Sequence, residues 1–244
     1  MHSKFVVVAT AIGLVAAGFA LPATAGQFSV TPVRIFMAPK DRAVAVTVTN
    51  EGDEELVMQA DVYVWKQEPG GDDRLTPSED LFLSPPIIKL APKSRQVVRL
   101  AMLQRPTSGE QQTYRMIVRE IPEAKKAPKS VELQVAIAFS MPVFVTPAGA
   151  KSELDCKVER SRANAVAAVC ANRGTAYAQP RDFSLNNVGG AKLAARDSGG
   201  YILPGIERRF ALERKEGAIP GGKAKLLVTL DDGSTRTYDV TVAD

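Results

Sequence analysis

Apolar and polar positions alternate with a period of two along most of this chain. Arg42–Asn50 reads RAVAVTVTN, and Leu56–Gln67, Gln96–Met102, Thr113–Ile121 and Ser130–Val145 follow in the same style. Further on come Asp155–Val158, Val166–Ala171, Arg181–Asn186, Arg208–Leu212, Lys225–Leu230 and Thr235–Val242. Successive side chains of a strand point to opposite faces, so each segment predicts a strand with at least one covered face. The breaks carry turn chemistry: Asn50-Glu51-Gly52, Pro69-Gly70-Gly71-Asp72-Asp73, Asn187-Val188-Gly189-Gly190, Pro220-Gly221-Gly222 and Asp231-Asp232-Gly233-Ser234. No long stretch sustains a helical period. Many short strands with frequent turns predict an all-β sandwich or barrel.

The longest alternating run is SVELQVAIAFSMPVFV, Ser130–Val145. Val131, Leu133, Val135, Ile137, Phe139, Met141, Val143 and Val145 occupy every odd position from 131 on. This far exceeds the usual strand of about 5–6 residues. A core strand with its odd face inward is the ordinary reading. Ala136 and Ala138 leave the other choice open, because a small apolar even face could also pack inward. If it does, a second body could cover the larger odd residues. A long apolar edge is an aggregation hazard unless it exists to pair with another chain. The segment before it, Glu123–Lys129, is basic and turn-prone.

Two further features set organisation. Residues 1–25 carry Lys4, an apolar stretch Phe5–Leu21 and an A-x-A site at Ala23–Ala25. They read as a secretory signal peptide, with the mature chain starting at Gly26. The apolar stretch is too short to serve as a secure membrane span, and none follows it. Glycine density then changes near Pro147–Lys151: residues 26–148 hold five glycines and residues 149–244 hold eleven. Two domains follow, 26–148 and 149–244, each the size of one immunoglobulin-like sandwich.

Composition narrows the chemistry. The chain has 244 residues, 45% apolar, with Lys+Arg 31, Asp+Glu 27 and a net charge of +4. That is ordinary for a soluble globular protein, and without a basic stripe it gives no reason to expect nucleic-acid binding. The one histidine is His2, inside the expected leader. A mature chain without histidine excludes Ser-His-Asp and Cys-His catalysis and every His-ligated metal site. The two cysteines, Cys156 and Cys170, flank a turn-prone Ser161–Asn164. A hairpin centred there sets them opposite each other, and export favours a disulfide over two free thiols.

The ordered set of segments resembles the PapD-like periplasmic chaperones of chaperone–usher pilus assembly. The residues that carry the resemblance are Pro32-Val33-Arg34, Leu83–Pro86, Leu90–Pro92, Val97–Leu100, Tyr114–Pro122 and Leu133–Ile137. The resemblance implies two immunoglobulin-like domains set at an angle, periplasmic location, no cofactor and no enzymatic activity. It implies as partners pilus or fimbrial subunits and an outer-membrane usher, with self-dimerisation through the donor edge as a further possibility. The protein would not be membrane-embedded. In the family the first domain lends a strand to a subunit lacking its last strand. The donor residues here would be Leu133, Val135, Ile137 and Phe139, with Val131 joining them. Two basic residues in the interdomain cleft hold the subunit's C-terminal carboxylate. Arg34 matches the first. The second, usually a lysine, aligns with Pro142, and an arginine of the family's interdomain charge cluster aligns with Thr146, while Glu120 of that cluster remains. The sequence therefore resembles a divergent, archaic or alternative branch. Arg99 and Arg119 are the substitute anchor candidates.

Magnitudes rank the two parts of such a site. Burying four large apolar side chains is worth about 6–12 kcal/mol at most, against about 1.5–3 kcal/mol for one charge-assisted hydrogen bond. The strand would supply affinity and the anchor register. Two other readings stand beside this one. A structural adhesin or pilus component would carry its own donor extension near Gly26–Arg34, which is short. A carboxylate-pair hydrolase would need Asp72-Asp73 or Asp231-Asp232, both in turns.

Overall fold

The computed structural model describes residues 27–104, 107–122 and 135–244. The expected leader and the donor positions Val131 and Leu133 lie outside them. None of the described residues is helical, so no helix among them crosses a membrane. The first domain contains β1 (Phe28–Thr31), β2 (Ile35–Met37), β3 (Ala43–Asn50), β4 (Leu56–Gln67), β5 (Asp73–Pro77), β6 (Leu81–Ser84), β7 (Ile87–Leu90), β8 (Arg95–Met102), β9 (Gln112–Glu120) and β10 (Ala138–Val145). The second contains β11 (Leu154–Arg162), β12 (Ala165–Asn172), β13 (Pro180–Asn187), β14 (Lys192–Arg196), β15 (Glu207–Glu213), β16 (Gly222–Leu230) and β17 (Thr235–Val242).

In the first domain, one sheet runs β1-β3-β8-β6 and the other β2-β10-β9-β4-β5, with β7 also on β4. Val46, Val48, Val98 and Leu100 from the first sheet meet Met58, Met116, Val118 and Val143 from the second, all buried in one core. The period-two pattern does this directly: on β3 the alternate residues Val46, Val48 and Asn50 turn inward. In the second domain seven strands run β11-β12-β15-β14-β13-β16-β17. The sheet folds over its own core of Val166, Ala168, Phe183, Leu185, Phe210 and Leu226. Its two edge strands come together where the Tyr238 hydroxyl donates to the Leu154 carbonyl at 2.7 Å. Cys156 and Cys170 face each other across the β11–β12 hairpin and form a disulfide.

The long alternating run is the chief point of difference from expectation. Its strand begins at Ala138, although the Glu120 amide still donates to the Ile137 carbonyl at 3.0 Å. From Met141 onward both faces are covered. Met141, Val143 and Val145 sit in the first-domain core, and Phe144 faces the second domain. Over residues 135–140 the side chains are exposed except for the half-buried Ile137: Val135 is 54% exposed and Phe139 is 39% exposed, resting edge-on against Phe28 of the opposite sheet at 5.2 Å. One strand thus holds a sealed half and an open half. The second edge of β10 is taken by β2 in parallel, and only over Val143–Val145. Pro142 stands just before that stretch, at the end of the open edge, where a missing N–H is tolerated.

Candidate functional site

The cleft between the two domains is built around Arg34. The chain leaves β1 in one sheet and enters β2 in the other, and Pro32–Arg34 is the crossing. This puts the Arg34 side chain at the rim of the first domain, facing the second. One of its terminal nitrogens donates to Asp231 Oδ2 at 2.6 Å and to the Tyr177 hydroxyl at 3.3 Å. The other donates to Gln179 Oε1 at 2.8 Å. The Tyr177 hydroxyl in turn donates to the same Asp231 oxygen at 3.1 Å.

A second guanidinium lies close by. Arg115, from the middle of β9, lies over the Trp65 ring with 3.8 Å between the guanidinium carbon and the ring centroid. Its side chain is only 15% exposed and pairs with Asp73 at 3.6 Å. Arg34 and Arg115 both approach the Tyr201 ring, at 5.7 Å and 5.5 Å from its centroid. Two cations therefore flank one tyrosine across the domain junction, each with its own aspartate.

The floor of the cleft is aromatic. Trp65, Phe144 and Leu203 are buried together, with Tyr177, Tyr201 and Ile206 packed around them. Phe144 stacks on Tyr177 at 4.2 Å, and Trp65 meets Tyr201 edge-on at 5.2 Å. Buried amides fix the two domains against each other. Gln67 donates to the Tyr201 carbonyl at 3.1 Å and accepts from the Leu203 amide at 3.0 Å. Gln111 donates to Thr146 Oγ1 at 2.7 Å and accepts from the Tyr177 amide at 2.9 Å. Asn172 aligns the segments bearing the two tyrosines by donating to the carbonyls of Ala176 and Ile202, at 2.8 Å and 3.0 Å. Each of these side chains satisfies otherwise lonely backbone groups, which is why buried amides are tolerated here.

Electrostatics keep both arginines charged. Burial works against Arg34, but the hydrogen bond to Asp231 and the neighbouring tyrosines outweigh it, and its pKa rises. Burial lowers the pKa of Arg115, opposed by Asp73 and Tyr201. Tyr177 is pushed up to about 12 by burial and then by the Asp231 charge, so its hydroxyl remains a donor at neutral pH.

The residues singled out in the sequence fall in different places. Arg34 is in the cleft. Arg99 is not: it is an exposed residue of β8, in the other sheet, opposite Ala45 and Ser84. Arg119 lies at the open start of β10, opposite Ala138, and is held by Asp61 at 3.1 Å and the Tyr63 hydroxyl at 3.1 Å. Glu120 sits at that same far end of β9, and among the described residues it takes no part in the domain junction, where Gln67, Gln111 and Thr146 stand instead. The two Asp-Asp pairs are split. Asp73 and Asp231 turn to the arginines, while Asp72 is exposed and Asp232 accepts from Ser234 in its own turn. Arg115, Trp65, Tyr177 and Tyr201 were not singled out by the sequence. The one usable signal was the lost cation at Pro142, which directs attention to its neighbour across the ladder once the register is known.

Residues 27–151 match the family described as pili and flagellar-assembly chaperone, PapD N-terminal domain. The chain belongs to this family. Several solved structures share the chaperone's fold over nearly its whole length. A chain of the CsuC–CsuE chaperone–tip adhesion subunit pre-assembly complex, from the archaic Csu pili of Acinetobacter baumannii, has 19% identity and a TM-score of 0.64, over 89% of this chain and 100% of its own. The E. coli chaperone DraB has 19% identity and a TM-score of 0.58, over 89% and 97%. A chain of the Salmonella enterica SafA pilin–SafB chaperone complex has 13% identity and a TM-score of 0.60, over 89% and 98%. No curated protein sequence matches the chaperone.

Proposed function

We propose that this chaperone captures pilus or fimbrial subunits in the periplasm by donor-strand complementation and passes them to an outer-membrane usher. Residues 1–25 are the export leader, 26–148 the donor domain and 149–244 the second domain. The observation that carries this reading is the open half of β10. Ala138–Pro142 pairs with β9 on one side and leaves the other side free of β2, which starts only opposite Val143. Val135 and Phe139 stand exposed along the approach to that edge. A subunit strand added there gains main-chain hydrogen bonds and a row of apolar contacts at alternate positions. Val131, Leu133 and Ile137 complete the row. The same edge would let a second copy bind when no subunit is present.

The subunit's C-terminal carboxylate goes to Arg34 with Arg115 as the second cation. Arg115 replaces Arg99 and Arg119 in that role, because it alone of the three lies beside Tyr201 with Arg34. The functional test is Leu133→Asp with Ile137→Asp. The double variant folds, by circular dichroism and thermal melting, and fails to co-purify a co-expressed subunit. Unchanged co-purification overturns the donor-strand reading.

A further inference from the structure

The fork of Arg34 is already occupied. Its two terminal nitrogens donate to Asp231 and Gln179, and the shared oxygen of Asp231 accepts a second bond from Tyr177. A carboxylate cradled by a guanidinium and a phenol is the arrangement expected of a bound chain terminus, yet this one belongs to the protein itself. Asp231 is held in place for it. Its own amide donates to the Gln179 carbonyl at 3.0 Å, and the turn behind it closes through Leu230 N to Ser234 O at 2.8 Å and Gly233 N to Leu230 O at 3.0 Å. Asp232 tightens the same turn by accepting from the Ser234 amide at 2.8 Å. The second cation is balanced likewise, with Asp73 on Arg115. Each cation of the cleft is thus paired with a carboxylate of the chain itself.

We infer that Asp231 is an internal stand-in for the subunit's terminal carboxylate, and that capture is an exchange of one carboxylate for the other on Arg34. This rests on the reading of Arg34 as the anchor. Two bare guanidinium groups would collect any small anion. With Asp231 resident, a free carboxylate gains little, because it must break bonds of the same kind as those it makes. Only a ligand that also brings strand pairing and apolar burial along β10 can displace it. Asp231 therefore sets specificity by raising the threshold for ligands that offer charge alone. It also links capture to the second domain, since the displaced group lies at the start of the β16–β17 turn.

The test uses the full mature chain with Asp231→Asn and Asp231→Ala, both checked for native melting, and Arg34→Ala as a control. Two probes are compared: acetate, and a short peptide of alternating valine and threonine with lysines at its N-terminus, as free acid and as C-terminal amide. The expected result is that the Asp231 variants bind the free acid about tenfold more tightly than the parent, which corresponds to about 1.4 kcal/mol. Amide binding stays unchanged, and acetate shifts the Arg34 side-chain resonances in the variants at concentrations that leave the parent unmoved. A merely structural aspartate would not separate acid from amide. If the variants gain nothing for acid or acetate, the exchange is overturned. In that case, acid still preferred over amide in the parent and lost in Arg34→Ala leaves the anchor standing, whereas equal binding of acid and amide throughout removes the anchor as well.

Discussion

Arg115 and Pro142 stand directly opposite each other in the β9–β10 ladder. Paired residues of neighbouring strands project to the same face, so under the proposed function Arg115 of β9 offers the cation that Pro142 of β10 cannot. Arg115→Ala is expected to lower recovery of co-expressed subunit about tenfold, the loss of roughly one charge-assisted hydrogen bond. Arg115→Lys recovers only part, because an ammonium does not lie flat on Trp65 as a planar guanidinium does. Pull-down yields of the two variants against the parent decide this. Equal yields from all three would place the second cation elsewhere.

The division of β10 into an open and a sealed half separates two kinds of damage. Phe139→Asp places a charge at the open edge, where water still solvates it. This variant folds and loses capture. Val143→Asp buries a carboxylate in a fully covered core position and costs several kcal/mol, enough to unfold a domain of ordinary stability. Circular dichroism paired with subunit co-purification reads both effects. Capture by a folded Phe139→Asp protein would mean that the row of donors ends before Phe139.

Where a segment had both length and alternation, its boundaries were readable: Leu56–Gln67 and Thr235–Val242 are β4 and β17 to the residue. Three- to five-residue strands such as β2 and β5 are too short to show a period, and β5 is exposed throughout. The start of β10 escaped for a different reason. Alternation continues before Ala138, but a period of two reports side-chain type and not strand pairing, and among the described residues 135–137 hold no place in a ladder. The site was legible in part. Arg34 follows from its motif, yet Arg115 and Arg119 look alike in TYRMIVRE, spaced four apart on one face of one strand. Only the second domain distinguishes them, by bringing Tyr201 to one end of β9. Tyr177 and Tyr201 sit in Gly- and Pro-flanked segments without a period, so no pattern marked them.

The disulfide belongs to the second domain, joining β11 to β12, whereas the open edge of β10 belongs to the first. It closes a loop with a sequence separation of 14, for which the chain-entropy estimate is about 3 kcal/mol. Cys156→Ser with Cys170→Ser is expected to lower the urea midpoint by a corresponding amount. Subunit capture at low temperature should remain. Reduction of the parent protein by dithiothreitol should reproduce the shift, and a variant with an unchanged midpoint would show that the bond contributes little beyond the paired strands.

Tyr177 links the cleft to alkaline stability. Its hydroxyl donates to Asp231, so ionisation would set two negative charges 3.1 Å apart on half-buried groups. Burial, followed by that charge, raises its pKa from 10.0 to about 12 in the folded chain. The folded state therefore holds this proton more tightly than the unfolded chain does. The resulting stability is fully present below pH ~10 and is lost as pH rises toward ~12. Tyr114 and Tyr201 are shifted upward by burial as well and add to the same loss. The Tyr177 share stays below the roughly 1.4 kcal/mol per pH unit that one fully shielded proton would give, because solvent screens a half-buried ring. Tyr177→Phe removes that share. It is expected to be less stable than the parent at neutral pH, where the hydrogen bond is lost, and to show a shallower fall of the urea midpoint between pH ~10 and ~12. Parallel falls for the two proteins would mean that Tyr177 ionises as freely in the folded chain as in the unfolded one, and that the Asp231 cradle does not hold its proton.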